Sequence, residues 1–383
     1  MTDNSNNVSQ TASSAVPQAG FGPYQRREKI PRHLDQIDAQ WLTAMLRNRY
    51  PDLVVEAMDV VNVRNGHTTK MQVKLTFNEA GRKAGIPENV CLKANWSEGF
   101  DSGDICELEA RFYHYVRDDL GVPAPRAYYA DWDGDGSGQG LVVMEDLVLE
   151  GGTFGHSTHH IGIDGVAHGL ESLAKLHGGW WGSPKLDEHR WLQASMDTPI
   201  DCGQLEMMWP WAEKNIVKPE YQAFLPRWLL DEPARFFRAF EKLGVFERQQ
   251  TSPRCVVHGD SHLGNSYLRT NGERVWLDWQ LVRKGRPWRD VTYFMLGSLT
   301  IEERRSAERD LLRHYRQALV AGGAKDVISD DEVFRQYRHW PIYGMQSWIA
   351  NMDEWGQTGF PMVQRFFTAA ADLDTLALLE SVG

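Results

Sequence analysis

A chain of 383 residues with 42% hydrophobic content and 15 tryptophans has material for a sizeable core, and its length suits two units of ordinary size better than one. The 41 Lys and Arg against 52 Asp and Glu leave a formal charge of -11, spread along the sequence, which excludes a general nucleic-acid surface. Four scattered cysteines (Cys91, Cys106, Cys202, Cys255) form no Cys-x-x-Cys pair, and no apolar run of about eighteen residues or leader pattern is found, so a cytoplasmic protein with reduced thiols and no membrane contact is expected.

Residues 1–22 are rich in Ser, Asn, Thr, Gln and Gly and read as an unstructured tail. Ordered chain is expected from about Ile30, with a short helix within Leu34 to Leu46. From Val54 to Phe77 the apolar residues fall in strand-length groups split by Arg64-Asn65-Gly66-His67, where Asn65-Gly66 is a hairpin turn signal. Met71, Val73, Leu75 and Phe77 alternate with Gln72, Lys74 and Thr76, which predicts antiparallel strands with one wet face. Asn78 to Glu88 reads as a polar loop and Val90 to Trp96 as a third strand. Period two sends Lys93 to the face opposite Val90, Leu92, Ala94 and Trp96; for the strand taken alone, that lysine is solvated.

Ile105, Leu108, Phe112 and Val116 recur at spacings of three and four, marking an amphipathic helix with Glu109 beside its apolar stripe. Strands follow at Ala127 to Ala130 and Leu141 to Met144. Between them Asp131 to Gly140 interleaves its glycines with Asp133 and Asp135, which suits a solvated turn. A first unit, 23–147, is separated from a second, 148–383, near the loosening Glu150-Gly151-Gly152. The second unit reads as mainly helical. Gly169 to Leu176 supplies a buried stripe, weakened at its start by Gly169. Thr300-x-x-Glu303 is a capping box before a helix whose apolar face uses Ala307, Leu311, Tyr315, Ala318 and Leu319. Val363 to Leu379 is read as a final helix.

Into this helical part is set His258-Gly259-Asp260-Ser261-His262-Leu263-Gly264-Asn265, then Val275-Trp276-Leu277-Asp278-Trp279-Gln280. Phosphoryl transfer needs a carboxylate to align or deprotonate an incoming hydroxyl and hard oxygen ligands for magnesium, and Asp260, Asn265 and Asp278 are of those types. Each also has a structural reading: Asp260 caps a turn, Asn265 caps a short helix, Asp278 is an ordinary strand-end carboxylate. Their joint spacing favours the chemical reading, because Asp278 interrupts a run where burial is expected and a bare buried carboxylate is costly. Zinc on His258 and His262 is disfavoured in a Gly-punctuated loop without His-Glu-x-x-His; both are read as braces of the loop. Neither Gly-x-x-x-x-Gly-Lys-Ser/Thr nor Gly-x-Gly-x-x-Gly occurs.

His258 to Asn265 in the pattern His-Gly-Asp-x-His-x-x-Asn, followed by Leu277-Asp278-Trp279-Gln280, resembles the aminoglycoside phosphotransferase and choline-kinase-like family, including its ecdysteroid-kinase-like branch, over about residues 50–370. The resemblance implies an α+β, bilobal protein-kinase-like fold: a small antiparallel-sheet N-terminal lobe that binds nucleotide, and a larger, mainly helical C-terminal lobe for catalysis and acceptor. It implies Asp260 as catalytic base, Asn265 and Asp278 as Mg2+ ligands, and Lys93 on the nucleotide phosphates, paired with Glu109. The strand Val142 to Leu147 would lead to an adenine-binding hinge, with Met144 beside the nucleotide and the backbone near Glu145 and Leu147 reading ATP or GTP. Asp290, in Trp288-Arg289-Asp290-Val291, would support the catalytic loop. The segment Asn78 to Gly85 lacks the Gly-rich signature of protein kinases, and Asp278-Trp279-Gln280 replaces Asp-Phe-Gly; both departures argue against a protein acceptor.

The acceptor is expected to be a hydroxyl-bearing small molecule, and the enzyme a monomer or homodimer. Tyr343, Trp348 and Trp355 belong to an aromatic stretch that suits either an apolar-bodied acceptor such as a terpenoid, steroid or macrolide, or plain helical core. Asp353 and Glu354 would suit a polycation. The alternative function is a catalytically silent protein of the same fold that binds a nucleotide or small molecule.

Overall fold

The computed structural model describes residues 23–24, 28–96, 103–196, 204–350 and 356–383. The tail 1–22, Cys202, Asp353, Glu354 and Trp355 lie outside the described residues.

Five strands, β1 Val55–Arg64, β2 Thr69–Phe77, β3 Asn89–Ala94, β4 Ala127–Trp132 and β5 Gly140–Glu145, form an antiparallel sheet in the order β1-β2-β3-β5-β4. Alternation decides what each face carries. Met71, Val73, Leu75, Val90, Leu92, Leu141 and Val143 share one apolar cluster with Leu42, Met45 and Leu46 of helix α1, Ala39–Leu46. The Asp38 carboxylate accepts the Trp41 N–H at 2.7 Å and so starts α1 after a separate 3-10 turn at Leu34–Gln36. On the opposite face Lys70, Gln72, Cys91, Lys93, Val142 and Met144 are cross-strand neighbours in register. That is the face the alternation of β2 marked as wet, yet Val142 and Met144 pack into the core of the helical part.

Two segments differ from their sequence reading. Asn78 accepts the Gly81 N–H at 2.9 Å and caps a short helix, Glu79–Lys83, where composition suggested only a polar loop. β4 runs on to Trp132 and buries Asp131 and Asp133, which accept the Tyr129 hydroxyl at 2.8 Å and the Ile30 N–H at 3.1 Å. The acidic turn is therefore anchored at its start, not solvated throughout.

Long helices include α2 Ile105–Tyr115, α3 Gly162–Gly179, α4 Pro233–Gln249, α5 Trp288–Ser298, α6 Ile301–Ala321, α7 Asp330–His339, α8 Pro341–Ile349 and α9 Gly356–Asp372, and a further one spans Gln204–Ile216. Gly169, a poor helix former, is where α3 meets α5: a Cβ there would lie 2.2 Å from the Phe294 ring, so close packing outweighs local propensity. α6 starts at the expected capping box, with the Glu303 N–H 3.2 Å from Thr300 Oγ1 and the Thr300 N–H 3.0 Å from Glu303 Oε2. The final helix is not continuous to Leu379. Asp374 takes φ 54° and separates α9 from a short helix, Thr375–Glu380. No described helix is long and apolar enough to cross a membrane.

One packing contact makes the fold acid-sensitive. The His339 ring stacks on Phe246 with centroids 3.8 Å apart, and its Nδ1 lies 2.8 Å from the Arg335 carbonyl, to which it donates. Burial pushes its pKa down to about 4. The unfolded ring takes up a proton below about pH 6.5, so this contribution is complete above that value and is lost as pH falls towards 4; its size is about 2–3 kcal/mol. The urea midpoint of His339→Phe should accordingly fall less than that of wild type between pH 7 and 4.5. Parallel decline of the two curves would count against the assignment.

Candidate active site

Two short ribbons hold the sequence motif. β7 Cys255–Val257 pairs with β10 Arg283–Gly285, while β6 Thr153–Phe154, β8 Ser266–Leu268 and β9 Arg274–Trp276 form a second sheet. The loop from His258 to His262 leaves β7 and is fixed on both its N–H and its C=O sides. Asp290 of α5, fully buried, accepts the His258 N–H at 2.6 Å on one oxygen and the Gly259 N–H at 2.9 Å on the other. Its first oxygen also lies 3.1 Å from His177 Nε2. Burial alone would raise the Asp290 pKa; the bond and charge of His177, with help from the loop, more than offset this and hold it below the usual carboxylate range. The Gly259 carbonyl accepts Arg289 at 2.7 Å and the Tyr343 hydroxyl at 3.2 Å. Gly259 has φ 87°, and a Cβ would fall 2.0 Å from the Leu281 carbonyl oxygen, so only glycine fits. His258 Nδ1 accepts the Asp260 N–H at 3.2 Å, which leaves the ring proton on Nε2 to donate to the Leu277 carbonyl at 2.8 Å. Burial keeps this imidazole below its ordinary pKa.

The side chain of Asp260 is 31% exposed. Its Oδ2 accepts Asn265 Nδ2 at 2.8 Å, and the same amide donates to the Asp260 carbonyl at 2.9 Å. Among the described residues Oδ1 has no partner, so one oxygen is pinned and the other is open. His262 Nδ1 accepts the Gly264 N–H at 3.1 Å, while its Nε2 stands 3.9 Å from Asp260 Oδ2, beyond hydrogen-bond reach.

The Leu277 N–H donates to the Asn265 carbonyl at 2.8 Å and brings the second motif against the first. Asp278 has φ 65°, uncommon for a residue other than glycine, and presents its carboxylate to the sheet. Lys93 bonds its Oδ1 and Lys70 lies 3.2 Å from its Oδ2. Lys93 and Glu109, 2.5 Å apart, are 3% and 2% exposed. The lysine that β3 alone would leave in water is thus enclosed by one carboxylate from α2 and one from the loop. Burial works against the Lys93 charge, but Asp278 and Glu109 outweigh it and raise the pKa. Burial also opposes ionisation of Asp278, where Lys70 and Lys93 prevail and hold it far below the usual range. In Glu109 burial wins and the pKa rises, so of the two carboxyls this one takes a proton more readily. The next residues extend the grip: the Trp279 ring stacks on Phe112 at 3.9 Å, the Trp279 backbone N–H donates to Glu109 Oε1 at 3.2 Å, and Gln280 donates to Thr68 at 2.8 Å.

The hinge is less open than the resemblance implied. The Glu145 N–H donates to the Arg126 carbonyl at 2.9 Å, and the Leu147 carbonyl accepts the Tyr267 hydroxyl at 2.9 Å. These two backbone groups are already engaged, so a base edge would be read elsewhere on the stretch. Met144 pairs in register with Cys91 on the Lys93 face. Tyr343 and Trp348 are buried. The Tyr343 hydroxyl is taken up by Gly259 and Arg289, and Trp348 packs edge-on to His262 with centroids 5.4 Å apart. Both shore up the loop, which fits the helical-core alternative for the aromatic stretch. A cavity of about 730 Å3 lies behind the β7–β10 ribbon, lined by residues such as Glu247, Arg254, Lys284 and Arg286; Asp260 is not among them, and side-chain chemistry locates the site better than concavity does. Sequence reading missed Lys70, His177 and Arg289. For Lys70 a signal existed: it precedes Gln72 on the face marked as wet.

A family model described as the phosphotransferase enzyme family matches residues 104–325. The chain belongs to that family. Glu109, Asp260, Asn265, Asp278 and Asp290 of this phosphotransferase fall inside the matched region, whereas Lys70 and Lys93 precede it. A candidate aminoglycoside phosphotransferase from Ralstonia eutropha is similar in structure, with 13% identity, 88% of this chain and 98% of that one covered, and a TM-score of 0.54. Spectinomycin phosphotransferase in complex with ADP and spectinomycin (10% identity, 91% and 99% covered, TM-score 0.47) and an ethanolamine kinase from Plasmodium vivax (11%, 83% and 81%, TM-score 0.48) are also similar. At such identities the likeness concerns the fold. No curated protein matches the sequence. The phosphotransferase has the α+β kinase-like fold, its five-stranded antiparallel sheet set against a mainly helical remainder.

Proposed function

We propose that this phosphotransferase moves the terminal phosphoryl group of a magnesium-bound nucleotide, ATP or GTP, to a hydroxyl of a small molecule. The observation that carries the reading is Asp260, with one carboxylate oxygen pinned by Asn265 and the other open, on a loop bonded to the Asp278 segment. The open oxygen orients the acceptor hydroxyl and takes its proton as the new O–P bond forms; the bond to the bridging oxygen breaks and the nucleoside diphosphate leaves. Lys93, steadied by Glu109, would hold the phosphate tail at the cleft between lobes 23–147 and 148–383.

Asn265 and Asp278 would hold magnesium, and their chemistry fits. Among the described residues nothing donates to Asn265 Oδ1, and Lys70 and Lys93 beside Asp278 favour its carboxylate form. Magnesium takes one or two carboxylates and completes its shell from phosphates and water, which two protein ligands allow. When bound, the metal supplies charge neutralisation on those phosphates.

The test is incubation with Mg-ATP and Mg-GTP across a library of hydroxyl compounds, with phosphomonoester formation read by phosphorus NMR. Transfer to one class of acceptor is expected, and Lys93→Met should lower kcat/KM for the nucleotide about 100-fold. Nucleotide binding without transfer to any acceptor, and unaltered in Asp260→Ala, would identify a silent binding protein instead.

A further inference from the structure

Arg64 of β1, Lys70 of β2 and Lys93 of β3 are successive cross-strand partners, so three cations stand in one row on the sheet. Like charges directly opposite one another repel. Asp278 answers that repulsion by receiving one lysine on each oxygen. The two lysines are not equivalent. Lys93 is enclosed and also held by Glu109, whereas Lys70 is 43% exposed and, among the described residues, has Asp278 as its one ion-pair partner. Its contact is 3.2 Å, on the oxygen Lys93 leaves free. With one ammonium group on each oxygen the Asp278 charge is already compensated and about half of its lone-pair sites are taken, so an entering metal competes with a lysine for the carboxylate.

We propose that Lys70 is a displaceable counter-ion of Asp278. Its ammonium covers Oδ2 while no divalent cation is bound, gives up that oxygen when the metal enters, and is then free to pair with the nucleotide phosphates. The inference rests on the metal role proposed for Asp278. Lys93 cannot perform this exchange because moving it would strip Glu109 of its partner inside the protein. Lys70, on a flexible stem at the surface, moves into water at little cost. A dication and an ammonium on one oxygen repel, which favours departure of the more weakly held group. The Asp278 charge stays compensated in both arrangements.

The test uses the full chain without nucleotide and Mn2+ as a probe read by electron paramagnetic resonance. Lys70→Met should bind Mn2+ about tenfold more tightly than wild type, with Lys70→Gln behaving alike and Lys70→Arg staying near wild type. Folding is checked by circular dichroism; the exposed position tolerates either side chain. No gain in Mn2+ affinity in either neutral variant overturns the displacement. In the double variant Lys70→Met/Asp278→Asn the tight Mn2+ binding should vanish. Its persistence would overturn the metal role of Asp278 itself, which keeps the two failures apart.

Discussion

Replacing Asp260 by Asn should lower kcat about 100- to 10,000-fold, the usual worth of a positioned base, and leave the nucleotide dissociation constant within about twofold. The amide keeps the shape, and its oxygen can still accept from Asn265 Nδ2, so the loop holds its course. What disappears is the open basic oxygen. Turnover with a responsive acceptor and calorimetric titration with ADP measure the two quantities. Losses of equal size in both would show that Asp260 shapes the nucleotide site and does not act on the acceptor.

A second large effect is expected at Asp290, in stability as well as turnover. Asp290→Ala removes the acceptor of the His258 and Gly259 N–H groups and of His177, all buried. Leaving such donors unpaired should destabilise the fold by about 3–5 kcal/mol. The same loss frees the loop that aims Asp260, so kcat falls as well. The contrast between the variants is the test: Asp260→Asn should unfold in urea near the wild-type midpoint, and Asp290→Ala well below it. An unaltered midpoint in Asp290→Ala would remove it as the anchor of the loop.

What the sequence disclosed follows the range over which each contact acts. The Asp260 segment and Asp278 lie close in the chain, and their chemistry is visible as an unusual set of polar residues around short apolar runs. Lys93 and Glu109 were found only through the resemblance, because strand and helix periods give a face and not the partner it meets. Lys70 shows the cost of that gap. Alternation placed Gln72 and Lys74 on a wet face, and nothing local says that the Lys70 end of this face closes over a carboxylate 208 residues away. Arg289 adjoins Asp290, yet its target is a backbone carbonyl, which leaves no mark on residue type. The partners of the backbone groups near Glu145 and Leu147 leave no such mark either. Asp374 broke a helix whose apolar pattern continues past it, since periodicity records burial and is blind to one left-handed residue.

The Trp279 stack bears on how the cleft can breathe. Its ring lies on Phe112 and its backbone N–H donates to Glu109, so α2 is latched to the segment after Asp278 as well as to the sheet. The sheet therefore cannot swing away as a simple flap: either it pivots over a helix that stays behind, or the aromatic latch parts. The first route parts Lys93 from Glu109 and the second parts both from the Asp278 segment, so in the proposed reaction a spent nucleotide would leave as the grip on its phosphates slackens.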